Sequence, residues 1–106
     1  MTSTENIKSK LASVTKDKFP DAEVILFGSR ARGDARTDSD WDILVLLNMP
    51  TVSFQTETQV MDSYFELELE TGEVIVPIIH SAKEWSEKYS ITPLFDAIKK
   101  EGIKLS

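Results

Sequence analysis

The 106-residue sequence contains no cysteine and a single histidine. That excludes a disulfide scaffold, a thiolate zinc site and a cysteine nucleophile, and it fits a reducing compartment. Nowhere do about 18 apolar residues run together, as a membrane-spanning helix requires. The opening MTSTENIKSK lacks the apolar stretch of a signal peptide, so the chain is expected to be a cytoplasmic, soluble domain. Basic residues are few: 12 Lys and Arg stand against 18 Asp and Glu, a net charge of −6. Broad attraction to nucleic acid or anionic membrane is therefore not expected. Four glycines and four prolines fall singly, leaving no linker, repeat or low-complexity tract. With 41% hydrophobic residues, the length suits one core, and residues 1–106 are expected to form a single domain.

Ile7, Leu11 and Val14 recur at helical spacing and predict a helix over Thr4–Lys18, with Thr2 and Glu5 as a capping pair. After Pro20, Glu23–Phe27 is a short β-branched apolar run that predicts a strand ending abruptly at Gly28. The polar segment 28–40 leads to a second strand, Ile43–Leu47, stopped by Asn48 and Pro50.

Residues 53–71 allow two readings. Phe65, Leu67 and Leu69 alternate with glutamates as a strand would. Val60/Met61, Tyr64/Phe65 and Leu67 also make one broad helical stripe ended by Gly72, and the helix is preferred. Val74–Ile79 predicts a third strand, which Pro77 confines to an edge or a bulge. Ser81 with Glu84, and Thr92 with Pro93, announce two closing helices, the second ended by Gly102. The expected fold is α/β, with the order α-β-β-α-β-α-α and a small mixed sheet flanked by helices.

Gly28-Ser29 at the end of one strand and Asp40-Trp41-Asp42 at the mouth of the next carry the chemistry. Residues two apart on a strand share a face, so Asp40 and Asp42 present their carboxylates side by side, about 7 Å apart along the chain. Two ionised acids repel, and a hard, oxygen-seeking Mg²⁺ relieves that repulsion. Gly28 lets the backbone approach a phosphate closely, and the Ser29 hydroxyl adds a donor. If the two strands are antiparallel neighbours, phosphate cradle and metal site share one edge, the arrangement that nucleotidyl transfer needs.

The stretch GSRARGDARTDSDWD resembles the signature of the DNA polymerase beta-like nucleotidyltransferase superfamily, in particular its minimal nucleotidyltransferase domains. The resemblance rests on Gly28-Ser29, Gly33 and Ser39-Asp40-Trp41-Asp42. It implies a palm-like mixed sheet, a nucleoside triphosphate substrate with ATP the expected nucleotide, and transfer of its nucleoside monophosphate to a protein or small-molecule hydroxyl. It also implies that Gly28 and Ser29 hold the triphosphate, and that Asp40 and Asp42 ligate Mg²⁺ and are catalytic. Minimal members are often paired with a small helical HEPN-type protein in toxin–antitoxin modules, so such a partner is expected; a homodimer is a further possibility for so small a domain.

One departure stands out. Active members carry a third carboxylate on the strand equivalent to Glu73–Ile79, and the middle of that strand has none. Val74, Val76 and Ile78 share one face, and only a bulge would bring Glu73 round to it. Nucleotide binding is then expected with slow or absent chemistry. The alternative is a catalytically silent binding module or antitoxin acting by contact with a helical partner.

Other residues have blander readings. Arg30, Arg32 and Arg36 either meet phosphate or neutralise Asp34, Asp38 and Asp40. Trp41 points away from the aspartates and reads as packing, Trp85 and Phe95 read as core, and Glu66, Glu68 and Glu70 as a solvated face. His80, placed after the third strand, reads as a cap or surface residue.

Overall fold

The computed structural model describes residues 4–105. The elements are α1 (Thr4–Lys18), β1 (Glu23–Phe27), α2 (Ser29–Arg32), β2 (Trp41–Leu47), α3 (Phe54–Thr71), β3 (Ile75–Ser81), α4 (Ala82–Lys88), α5 (Pro93–Glu101) and β4 (Ile103–Lys104). The sheet order is β3-β2-β1-β4, with β1 antiparallel to β2 and β4 and with β2 parallel to β3. This is the mixed α/β fold expected. The Thr2/Glu5 capping pair lies outside the described residues.

Strand β2 is central and buried on both sides, which explains its unbroken apolar run. Its odd-numbered residues Trp41, Ile43, Val45 and Leu47 meet Ile7 and Leu11 of α1 and Val60, Tyr64 and Leu67 of α3. Leu44 and Leu46 face the other way, onto Trp85 of α4 and Ile98 of α5, with Phe95 half-buried beside them. The sheet therefore divides the helices, α1 and α3 on one side and α4 and α5 on the other. Among the described residues, no helix is long and apolar enough to cross a membrane.

Several boundaries differ from the sequence reading. The one-turn α2 and the two-residue β4 are too short to leave a periodic signal. β2 begins at Trp41, two residues before its apolar run. β3 lies at the sheet edge, where Pro77 needs no second ladder partner, but it spans Ile75–Ser81 and so contains His80.

Residues 54–71 are helical throughout. Ser53 accepts from the Thr56 N–H at 3.1 Å, and Gly72 caps the far end in a left-handed conformation at φ 76°. The buried face of α3 is narrower than the expected stripe: Val60, Ser63, Tyr64 and Leu67 point inward, whereas Met61 and Phe65 are exposed. Ser81 and Thr92 cap α4 and α5 as expected, accepting from Glu84 N–H at 2.9 Å and Phe95 N–H at 3.2 Å.

Candidate active site

The end of β1 and the start of β2 meet because the pair is antiparallel with Phe27 opposite Asp42. Gly28 follows at once, with φ 75° and ψ −158°, a conformation that side chains other than hydrogen strongly disfavour. The space where its Cβ would stand is occupied by the Asp42 carboxylate. Glycine is thus required twice, by backbone angle and by the acid packed against it. The Gly28 carbonyl accepts from Ala31 N–H and Arg32 N–H, both at 3.0 Å, turning the chain into α2. The Ser29 side chain makes no hydrogen bond among the described residues, which leaves its hydroxyl available at this junction.

Asp42 shares the α5 side of β2 with Leu44 and Leu46, and Asp40, in the loop just before β2, is near enough for its charge to act on Asp42. Neither aspartate forms an ion pair among the described residues. Burial pushes the Asp42 carboxyl above its ordinary value, the nearby Asp40 charge pushes the same way, and Arg32 opposes both. A pair of adjacent, unpaired oxygen donors with this mutual repulsion fits a hard divalent cation. Val76 of β3 is paired in register with Asp42, so the neighbouring strand offers valine where a third acid would stand.

Glu73 is not brought round. It lies just before β3, where its carboxylate accepts from Trp41 Nε1 at 3.3 Å and stands 3.8 Å from Arg30 Nη2, on the far side of the sheet from Asp42. No bulge intervenes. Among the described residues, no three His, Cys, Asp or Glu side chains converge as a metal cage.

Arg30 pairs with none of Asp34, Asp38 and Asp40; its acidic neighbour is Glu73. Its Nη2 donates to the Ser39 and Thr37 carbonyls at 2.9 and 3.3 Å, while the guanidinium lies 4.4 Å from the Trp41 ring centroid. Arg30 therefore ties the loop ahead of Asp40 to the underside of β2, as a positioning residue. Arg32 pairs with Asp34 at 3.3 Å, as the neutralising reading supposed, and also with Glu101 of α5 at 3.3 Å. The Glu101 carboxylate accepts a third hydrogen bond, from the Gly28 N–H at 3.2 Å. Glu101 had no sequence signal, because 73 positions separate it from Gly28.

Trp41 is buried under the sheet, as expected. His80 is no cap but a residue of β3, half-buried, whose ring stacks on Trp85 at 5.6 Å and meets Tyr89 tilted at 4.3 Å between centroids. Burial lowers its pKa, against Glu84 and Glu57. The register puts it opposite Leu46, four residues and about 13 Å along the strands from the Asp42–Val76 pair.

The sequence profile of the nucleotidyltransferase domain matches residues 8–104, nearly the whole chain. The chain belongs to the nucleotidyltransferase domain family. Two proteins of Methanocaldococcus jannaschii, both provisionally assigned as protein adenylyltransferases, are similar to it. One is 31% identical over 102 residues, spanning 95% of this chain and 93% of the relative. The other is 36% identical over 96 residues, and the match spans 88% of this chain but 65% of the relative.

Two solved structures share the fold. A toxin–antitoxin crystallised with AMP-PNP superposes with a TM-score of 0.67 at 19% identity, covering 93% of this chain and 72% of the other. A mutant of the toxin–antitoxin MntA-HpeT gives 0.64 at 17% identity over the same shares of each chain. At these identities the likeness concerns the nucleotidyltransferase fold, with GSRARGDARTDSDWD supplying its β1–β2 junction in this chain.

Proposed function

We propose that residues 1–106 act as one minimal nucleotidyltransferase domain that binds a Mg-nucleoside triphosphate, ATP first, and transfers its nucleoside monophosphate to a protein hydroxyl. The observation that carries this reading is the packing of the Asp42 carboxylate against Gly28, with the Asp40 charge acting on Asp42 and Ser29 next in the chain to Gly28. Asp40 and Asp42 are the residues that would hold Mg²⁺, which when bound supplies neutralising charge to a triphosphate. The Gly28 N–H and the Ser29 hydroxyl donate to phosphate oxygens, and Arg30 keeps the loop before Asp40 in place. The choice of adenylate and of a protein acceptor is supported by the names of the two archaeal relatives and by the AMP-PNP in a structural neighbour. With valine at 76, no third acid stands beside Asp42 to take the acceptor's proton, so the transfer step is expected to be slow.

A specific observation favours a partner protein. Phe54, Met61, Phe65 and Leu69 of α3 are exposed and fall in one stripe of the helix, Phe54 by 87% and Leu69 by 73%. The helix also carries Glu57, Asp62, Glu66, Glu68 and Glu70 and no basic residue, so a second copy seated on the stripe would set acid against acid. A helical partner of the HEPN type, with basic residues around an apolar face, fits it better than a homodimer. The two solved structures compared above are toxin–antitoxin proteins. The second reading follows: a silent domain acting by contact through such a surface.

ATP labelled at its α-phosphate, incubated with wild type or Asp40→Ala/Asp42→Ala in native cell extract, separates the two. Covalent label on protein that depends on the aspartates supports transfer. Mg-ATP binding without any label leaves the contact reading.

A further inference from the structure

Two donors at the junction, the Gly28 N–H and the Arg32 guanidinium, are already engaged. Glu101, the last residue of α5, places its carboxylate against the Gly28 N–H at 3.2 Å and against Arg32 Nη1 at 3.3 and 3.4 Å. A carboxylate and a phosphate oxygen present the same chemistry to such donors: an anionic acceptor for a backbone amide and a guanidinium. The contact is anchored from the fold. Gly102 N–H donates to Ile98 O at 2.7 Å, and Ile103 in β4 pairs with Leu26 of β1, so the end of α5 is held to the strand that delivers Gly28.

We infer that Glu101 is an internal anion competing with the nucleotide phosphate for the Gly28 N–H and Arg32, so that triphosphate binding requires its side chain to swing away. This rests on the nucleotide-binding reading proposed above and adds a regulating residue to that site. The main-chain anchor stays in place while the flexible side chain moves, and Arg32, half-exposed, is free to follow a phosphate instead. A weakly charged anion gains little by displacing Glu101. A triphosphate offers several acceptors and more charge, so the site prefers highly anionic ligands.

The test is calorimetric titration of Mg-ATP into wild type, Glu101→Gln, Glu101→Asp and, as a control at the other end of β1, Glu23→Gln. Glutamine keeps the shape and removes the charge; aspartate keeps the charge but is one methylene shorter and is drawn back from the Gly28 N–H. Both are expected to bind about two- to fivefold more tightly than wild type, the range of an exposed charge pair. The gain should shrink at high salt, and Glu23→Gln should bind as wild type. Binding by the variants alone supports the inference in its strongest form. Equal or weaker binding by both Glu101 variants, with wild type binding normally, overturns it and makes Glu101 a bystander or a ligand contact. Failure of every protein to bind any Mg-triphosphate overturns the nucleotide reading and this inference together.

Discussion

Substituting Gly28 by alanine tests whether the β1–β2 junction is built around the Asp42 carboxylate. The backbone at Gly28, with φ 75° and ψ −158°, is nearly exclusive to glycine, and forcing another residue into such a region costs about 1–3 kcal/mol. The new Cβ would also collide with Asp42, whose side chain must leave its rotamer at about 0.5–1.5 kcal/mol. Together these predict a loss of about 2–4 kcal/mol, a large share of the ~5–15 kcal/mol that holds a domain of this kind together. Gly33 is the internal comparison. It is left-handed at φ 84°, but a Cβ there would meet nothing within 4 Å, so Gly33→Ala should cost only the left-handed penalty of about 1–2 kcal/mol.

Urea denaturation of both variants reads the difference directly, since unchanged slopes leave the midpoints to report stability. The double variant Gly28→Ala/Asp42→Ala isolates the collision: removing the carboxylate should return about 1 kcal/mol, so the two changes should not be additive. Equal losses for Gly28→Ala and Gly33→Ala, with additivity inside ~0.5 kcal/mol in the double variant, would refute the packing described for the site.

Because burial and Asp40 raise the Asp42 carboxyl in the folded protein, the fold holds that proton more tightly than the unfolded chain does, and stability contributed by it falls as pH rises through the folded value. Asp42→Asn should therefore melt higher than wild type at neutral pH and lose that advantage below the ordinary value of 3.8, as thermal melts across pH would show. Tyr64 is pushed up to about 12 by burial, so the unfolded chain ionises first and stability should decline from about pH 10 upward, followed by tyrosinate absorbance and chemical denaturation. The Tyr64 hydroxyl meets Thr15 Oγ1, which itself donates to Leu11 O at 2.9 Å. Thr15→Val strands a buried hydroxyl and should cost about 1–3 kcal/mol, whereas Tyr64→Phe leaves Thr15 bonded and should cost about 0.5–1.5 kcal/mol, compared by urea midpoints.

What could be read from the sequence was what is local. Glu23–Phe27 and Ile43–Leu47 announce strands by composition, and Ser53, Ser81 and Thr92 announce helix starts because a cap is decided within three residues. Gly28, Asp40 and Asp42 could be placed together because a single short connection joins two antiparallel strands.

The unread features depend on pairings across the chain. β4 exists only because the segment after α5 reaches β1, and the Glu101 contact exists only because β4 places it there. The glutamate alternation after Tyr64 imitated a strand because Phe65 and Leu69, although apolar, face solvent on α3 instead of the core. Counting charges pairs Arg30 with the neighbouring aspartates, whereas the fold gives it two carbonyls, the Trp41 ring and Glu73, 43 positions away.

On the proposed function, Asp40 and Asp42 hold a metal–nucleotide beside Gly28. Titration calorimetry of Mg-ATP into wild type and Asp40→Ala/Asp42→Ala, repeated without Mg²⁺, decides this. Binding is expected to require both the metal and the aspartates. Binding retained in the double variant, or absent from a folded wild type with any Mg-triphosphate, would contradict it.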